Sequence, residues 1–273
     1  MENKYCQIIE HLRDDGFNFQ DALHTVQQDL EIAQNSDKEH QANTLWAIRT
    51  VIEIHYEFSV VFELLQQGEY YKAWCNAEQV EIKSKALHRN FIDVFKLVKD
   101  LYESIVRLQG LYPYTIFSSY VINIKRERCS ICNQIRSIRH DCGHRKGYLY
   151  NGHLCCNIVE DLEIKSIDIV DNPVNKFAVL FATSKDGERE DNYDYTLIEG
   201  LMRYWQKPFQ HWTYDIRHTH KPFSDFPGLS DKDFCPCGSG LVYAYCCKSD
   251  PQGIKHKIFQ FRVEDISCLH IKP

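Results

Sequence analysis

The chain has 273 residues, 44% hydrophobic and 26% charged, the composition of a folded protein with room for more than one domain. The N-terminus shows no basic segment followed by an apolar run, and no stretch of about 18 uncharged apolar residues occurs. Neither a secretory signal nor a membrane span is therefore expected, and the expected location is the cytoplasm. The formal net charge of −6 is unevenly placed. Residues 1–115 carry 18 acidic and 11 basic side chains, a balance of −7, whereas residues 121–150 carry seven basic and two acidic ones, a balance of +5.

Residues 1–110 read as helices, because Pro is absent before Pro113 and Gly stands only at 16, 68 and 110. A helix pair is expected at about 3–14 and 18–34. Leu45, Ile48, Val51, Ile52, His55, Phe58, Val61, Phe62 and Leu65 recur at three-to-four spacing, and Gly68 supplies a stop. A further helix is expected from Glu69 to about Leu87. The stripe Phe91, Val94, Phe95, Val98, Leu101, Ile105, Leu108 predicts another, closed by Gly110 and Pro113. Such segments imply an antiparallel helical bundle serving as scaffold. The apolar stretch from Leu111 to Tyr120 reads as a connector packing the bundle onto the C-terminal half of the chain.

Beyond it, Asp161–Asp171 alternates apolar and polar residues, as a half-buried strand does. Residues 176–182 read as a second strand, 185–192 as a solvated loop and 195–205 as a helix. Residues 206–234 read as irregular, and 258–263 as a short strand. The predicted class is α+β: the helical bundle (1–118), a zinc-binding α/β region with short strands and one helix (119–230), and a C-terminal zinc knuckle with its tail (231–273).

Twelve cysteines in a reducing compartment argue for metal before disulfides, and nine of them fall in two clusters. Cys6, Cys75 and Cys268 stand alone and read as small buried hydrophobes. In the first cluster, Cys129 and Cys132 make a Cys-x-x-Cys knuckle, and Cys142 and His144 offer a second half. Cys155, returned by an Asn151-Gly152 turn, is an alternative to Cys142 or His144, and Cys156 is expected to face away. In the second cluster Cys235, Cys237, Cys246 and Cys247 lie within 13 residues. Gly238-Ser239-Gly240 can take positive φ and turn backbone N–H groups toward the thiolates. Two zinc ions are the expected cofactors.

At Cys-Pro-Cys-Gly-Ser-Gly followed by Cys246-Cys247, the chain resembles the SEC-C motif, a zinc-binding module found at the C-terminus of the translocation ATPase SecA and on many bacterial proteins. Weaker similarity at 68–74, 112–114, 129–132, 142–144, 150–152 and 170–173 extends the likeness to uncharacterised bacterial SEC-C-containing proteins. That resemblance implies a zinc site and no particular activity. SEC-C segments typically carry lysines where this chain has Leu241-Val-Tyr-Ala-Tyr245. An apolar contact surface is expected there, turned to the chain itself or to a protein partner.

Arg136, Arg139, Arg145 and Lys146, with Tyr148 and Tyr150 nearby, offer phosphate contacts and stacking, so nucleic acid is the alternative partner. Arg139, His140 and His144 fit the Arg-x4-His spacing of HEPN ribonucleases, but His144 has a better use as a metal ligand. His218 and His220 can share one face of an extended segment. No phosphate loop, Gly-x-Ser-x-Gly elbow or His-Glu-x-x-His pair occurs. The leading expectation is a non-enzymatic binding or adaptor protein with an unidentified protein partner and no membrane.

Overall fold

The computed structural model describes residues 2–137, 139 and 141–264. It is a mixed α+β fold of helices and small antiparallel sheets, divided into two compact units, Met1–Phe209 and Gln210–Pro273.

The first unit begins with α1 (Glu2–His11), α2 (Phe19–Asn35), α3 (Glu39–Gln66) and α4 (Tyr70–Asn90). The stripe on α3 is buried from Ala42 to Leu65, and α3 packs against both α2 and α4. Gly68 ends it at φ 75°, a left-handed position that costs other residues energy. The continuous helix expected over 91–108 is broken. A short α5 (Ile92–Phe95) and α6 (Lys99–Gln109) are separated by a turn at 96–98. The apolar periodicity runs through the break, and only tertiary packing, which buries Val98 and exposes Leu97, interrupts the helix.

The connector packs on α4 as expected. Tyr112, Tyr114 and Phe117 are buried around Trp74, whose indole N–H donates to the Lys176 carbonyl at 2.7 Å. Lys176 itself is clamped by the buried carboxylates of Glu78 and Glu81.

From Phe117 the chain enters a strand that a connector reading hides. Strand β1 (Phe117–Cys129) pairs antiparallel with β4 (Asn157–Val170), which starts four residues before the expected strand. Between them a short hairpin, β2 (Leu149–Tyr150) and β3 (His153–Leu154), turns at Asn151 and Gly152, with φ of 47° and 74°. The β1–β4 ribbon is not half-buried. A bulge leaves Lys165 unpaired, so Ile164 faces Ile122 while Ile167 faces Tyr120. Tyr120, Ile122, Ile124, Leu162, Ile164 and Ile167 therefore share one face, and each is between 42% and 62% exposed.

The strand expected at 176–182 is absent. Val179 makes a single bridge to Phe117, and β5 (Ala182–Thr183) pairs with β6 (Arg189–Glu190). Helix α7 (Thr196–Met202) is shorter than the span 195–205.

The second unit is a two-stranded sheet and a cysteine-rich segment. Residues 206–234 are not wholly irregular, since β7 (Trp212–Lys221) lies there and pairs with β8 (Ile254–Val263) over ten residue pairs. No helix among the described residues is long and apolar enough to cross a membrane.

Candidate metal centres

Cys129 closes β1 directly beside the start of β4. Asn133, at φ 62°, bends the chain so that its N–H donates to the Cys129 carbonyl at 2.9 Å and the Cys129 N–H donates to the Gln134 carbonyl at 2.9 Å. This tight turn carries Cys132 back toward Cys129. Gly143, at φ 79°, makes the matching bend between Cys142 and His144. The ligand atoms of Cys129, Cys132, Cys142 and His144 all lie within 4.8 Å of one another.

Two further features fit a metal. His144 Nδ1 is buried and has no hydrogen-bond partner, which is costly for an imidazole nitrogen unless an ion occupies that direction. Its ring stands edge-on to Tyr150 at 4.6 Å, and the Tyr150 hydroxyl accepts the Arg145 N–H at 2.9 Å. At Cys129 burial raises the thiol pKa, but the N–H groups of Cys132 and Ile131, joined by the Cys132 and Cys142 thiols, outweigh it and bring the value to about 6.

The open choice of fourth ligand is narrowed. Cys142 and His144 belong to the mutually close group, whereas Cys155 does not. Cys155 is nonetheless buried, with its Sγ 3.9 Å from that of Cys129 and 3.3 Å from Nη2 of Arg136. Cys156 is exposed and does not belong to the mutually close group.

This cluster is seated on the helices through the β2–β3 hairpin. Asn90 at the end of α4 donates to the Gly147 carbonyl and accepts the Leu149 N–H. Asn43 accepts the Gly152 N–H at 2.7 Å. A Cβ on Gly152 would stand 2.8 Å from Leu30 Cδ1 and 3.2 Å from the Ala42 carbonyl oxygen, so only glycine fits this approach.

The second group, Cys235, Cys237, Cys246 and Cys247, also lies within 4.8 Å throughout. Gly238 and Gly240 take positive φ, 76° and 72°, in agreement with the sequence. At Cys237 burial raises the pKa, but the Ser239 hydroxyl, neighbouring thiols and the Ser239 N–H bring it to about 6. Burial pushes Cys247 up to about 12. Cys235, Cys247 and Ile254 form a small core with Phe226, Leu229 and Tyr243 against it. The apolar return is split: Tyr243 packs inward, while Leu241 and Tyr245, like Phe234, stay exposed.

Thiolate-rich four-ligand groups of this size suit zinc. Sulfur and imidazole donors favour it, and four protein ligands close the tetrahedron. Such an ion would be held by Cys129, Cys132, Cys142 and His144 in the first unit and by the four thiolates in the second.

The basic residues are divided. Arg136 and Lys146 join Lys125 and Arg126 around a cleft of about 480 Å³, also lined by Ile124, Glu127, Ser137 and Asn157. Arg139 and Arg145 are not among its lining residues, and His140 lies outside the described residues. Arg126 is committed to Glu160 at 2.8 Å, and Lys125 reaches Glu163 at 3.6 Å. His218 and His220 share a face of β7, but His220 pairs with Asp250 at 3.5 Å. Neither belongs to a metal-competent group among the described residues. Of the isolated cysteines, Cys6 is exposed rather than buried, Cys75 is half-buried, and Cys268 lies outside the described residues.

Cysteine spacing marks both clusters but gives no sign of Arg136 as a neighbour of Cys155. The pair is 19 residues apart, and only the ribbon brings it together. No family model, no curated protein and no solved structure matches the chain.

Proposed function

We propose that this is a two-zinc, non-catalytic binding protein of the bacterial cytoplasm. In this reading its helices form a bundle that acts as scaffold, and its C-terminal segment is a SEC-C-like zinc knuckle. The supporting observation is the pair of four-ligand groups, each with all its donor atoms within 4.8 Å. A shell closed by four protein ligands leaves no position for water or substrate, so the metal organises the chain rather than reacting.

The partner in this reading is a protein with an apolar surface. The ribbon face of Tyr120, Ile122, Ile124, Leu162, Ile164 and Ile167 is exposed, and an isolated two-stranded ribbon is marginal in water without a covering layer. Phe234, Leu241 and Tyr245 give the knuckle a smaller patch of the same chemistry. Metal analysis of the purified full chain should return close to two zinc per chain, and a value near zero with every thiol free would overturn the reading. A partner captured by the native protein should be lost when Ile164 and Ile167 are replaced by Asp. Retention by that folded variant would remove the ribbon from the interface.

A second reading, nucleic-acid binding, is favoured by one observation: Lys125, Arg126, Arg136 and Lys146 converge on a single cleft. It predicts a salt-dependent shift of labelled RNA or DNA whose salt slope falls by about 1 when Lys146→Glu removes a phosphate contact. An unchanged slope would count against it.

A further inference from the structure

The first cluster offers five metal ligands for four positions. In a tetrahedral zinc–thiolate shell with Zn–S of about 2.3 Å, neighbouring sulfurs stand about 3.8 Å apart. Cys155 Sγ is 3.9 Å from Cys129 Sγ, so the fifth thiol already stands one tetrahedral edge from the most buried ligand. It does not stand in the group of four, which His144 completes. One guanidinium nitrogen links the two contenders. Nη2 of Arg136 donates to Cys155 Sγ at 3.3 Å and to the His144 carbonyl at 2.9 Å.

The contenders differ in how they are anchored. The Cys155 N–H donates to the Tyr148 carbonyl and its carbonyl accepts the Gly147 N–H, both at 2.8 Å, within the hairpin that Asn90 and Asn43 tie to the helices. His144, itself half-buried, sits instead on the 141–146 segment beside the exposed Arg145 and Lys146. Cys155 is therefore held in the hairpin by its own two backbone hydrogen bonds, whereas His144 meets the hairpin through its ring contact with Tyr150 and the backbone of its neighbour Arg145.

We propose that Cys155 is a reserve ligand, which replaces His144 on the zinc when the 141–146 segment is drawn away. In that exchange the Zn–N bond breaks and a Zn–S bond forms. The Cys155 proton passes to the freed imidazole, and no electrons change hands. The shell goes from three thiolates to four, gaining one negative charge beside Arg136, whose guanidinium offsets it. The device lets the basic segment be captured by a partner while zinc stays in place and the β1–β4 ribbon stays closed at its base.

The inference rests on the two-zinc reading, and zinc stoichiometry on the full chain separates the two. The expected values are two zinc per chain for the wild type, for His144→Ala and for Cys155→Ala, and one for the double variant. A wild type below two would overturn the zinc reading itself. A wild type at two with His144→Ala at one would overturn the reserve-ligand proposal alone. So would a loss in Cys155→Ala, which would make Cys155 obligatory, or a double variant that keeps both ions. Should the double variant fail to fold, cobalt-loaded His144→Ala decides. Its sulfur-to-metal charge-transfer absorption should rise by about one-seventh over the wild type, as coordinated thiolates go from seven to eight per chain. An unchanged or weaker band would show that Cys155 had not entered the shell.

Discussion

The two cysteine groups solve the same coordination problem with different amounts of protein. The second is local: four thiolates within 13 residues, two left-handed glycines, and a core of Cys235, Cys247 and Ile254. Its buried apolar material is so slight that, in the proposed reading, a bound metal would supply much of the folding energy. The first is distributed, drawing on a strand end, a knuckle and a loop, with a hairpin that seats it on the helices through Asn43 and Asn90. Its scaffold has an apolar core of its own, centred on α3 and on Trp74. Under the two-zinc proposal, the difference implies that one metal type would be a folding nucleus in one unit and an accessory clamp in the other.

If the two-zinc proposal holds, the largest effect that tests this contrast is that of a chelator under reducing conditions. Structural zinc is worth about 10–16 kcal/mol, more than a small unit has to spare. Hydrogen exchange should show residues 233–250 losing protection while α3 keeps it, and retained protection in both would break the comparison. Next is Trp74→Ala, which deletes the ring at the centre of the aromatic cluster and should cost about 3–5 kcal/mol in denaturant unfolding of the first unit. Zinc at the second group should be untouched.

Gly152→Val sharpens the contrast further. It forces a side chain against Leu30 and the Ala42 carbonyl at a left-handed φ, for about 1–3 kcal/mol. Zinc should leave the first group faster, with no change at the second. The smallest effect concerns pH. His55 is buried against Phe209, and burial lowers its pKa from 6.5 to about 4. Its neutral form is the one the fold accepts, so its contribution is intact above 6.5 and is lost as pH falls toward 4. The slope is about 1.4 kcal/mol per pH unit. At pH 5.5 the first unit should be about 1 kcal/mol less stable than at pH 7 through this group, and His55→Gln should flatten that part of the profile.

Much of the helical half is legible in the residues, because the stripe from Leu45 to Leu65 and the stop at Gly68 are local signals. The break at 96–98 is not, since no glycine or proline marks it and Val98 stays in phase. Both long strand pairs are hard to read, for different reasons. In β1 the largely apolar stretch 117–124 passes without punctuation into the charged run 125–128, which disguises one strand as a connector and a module. In β7 the alternation Trp212, Tyr214, Ile216 is present but outweighed by the surrounding His and Pro. Ligand types and spacing locate both metal-competent groups. Spacing alone leaves Cys142, His144 and Cys155 as rivals, because sequence separation says nothing about which thiol the ribbon pulls aside.

The bulge at Lys165 carries one more consequence. Because that single unpaired residue aligns Ile164 with Ile167, the length of the segment from Glu163 to Asp168 is as constrained as any buried side chain. Removing Lys165, an exposed residue with no packing role, would rotate everything from Ser166 onward by one face and turn Ile167 and Ile169 to the charged side. In descendants of this gene, point changes at 165 should be freely accepted, and insertions or deletions beside it should not.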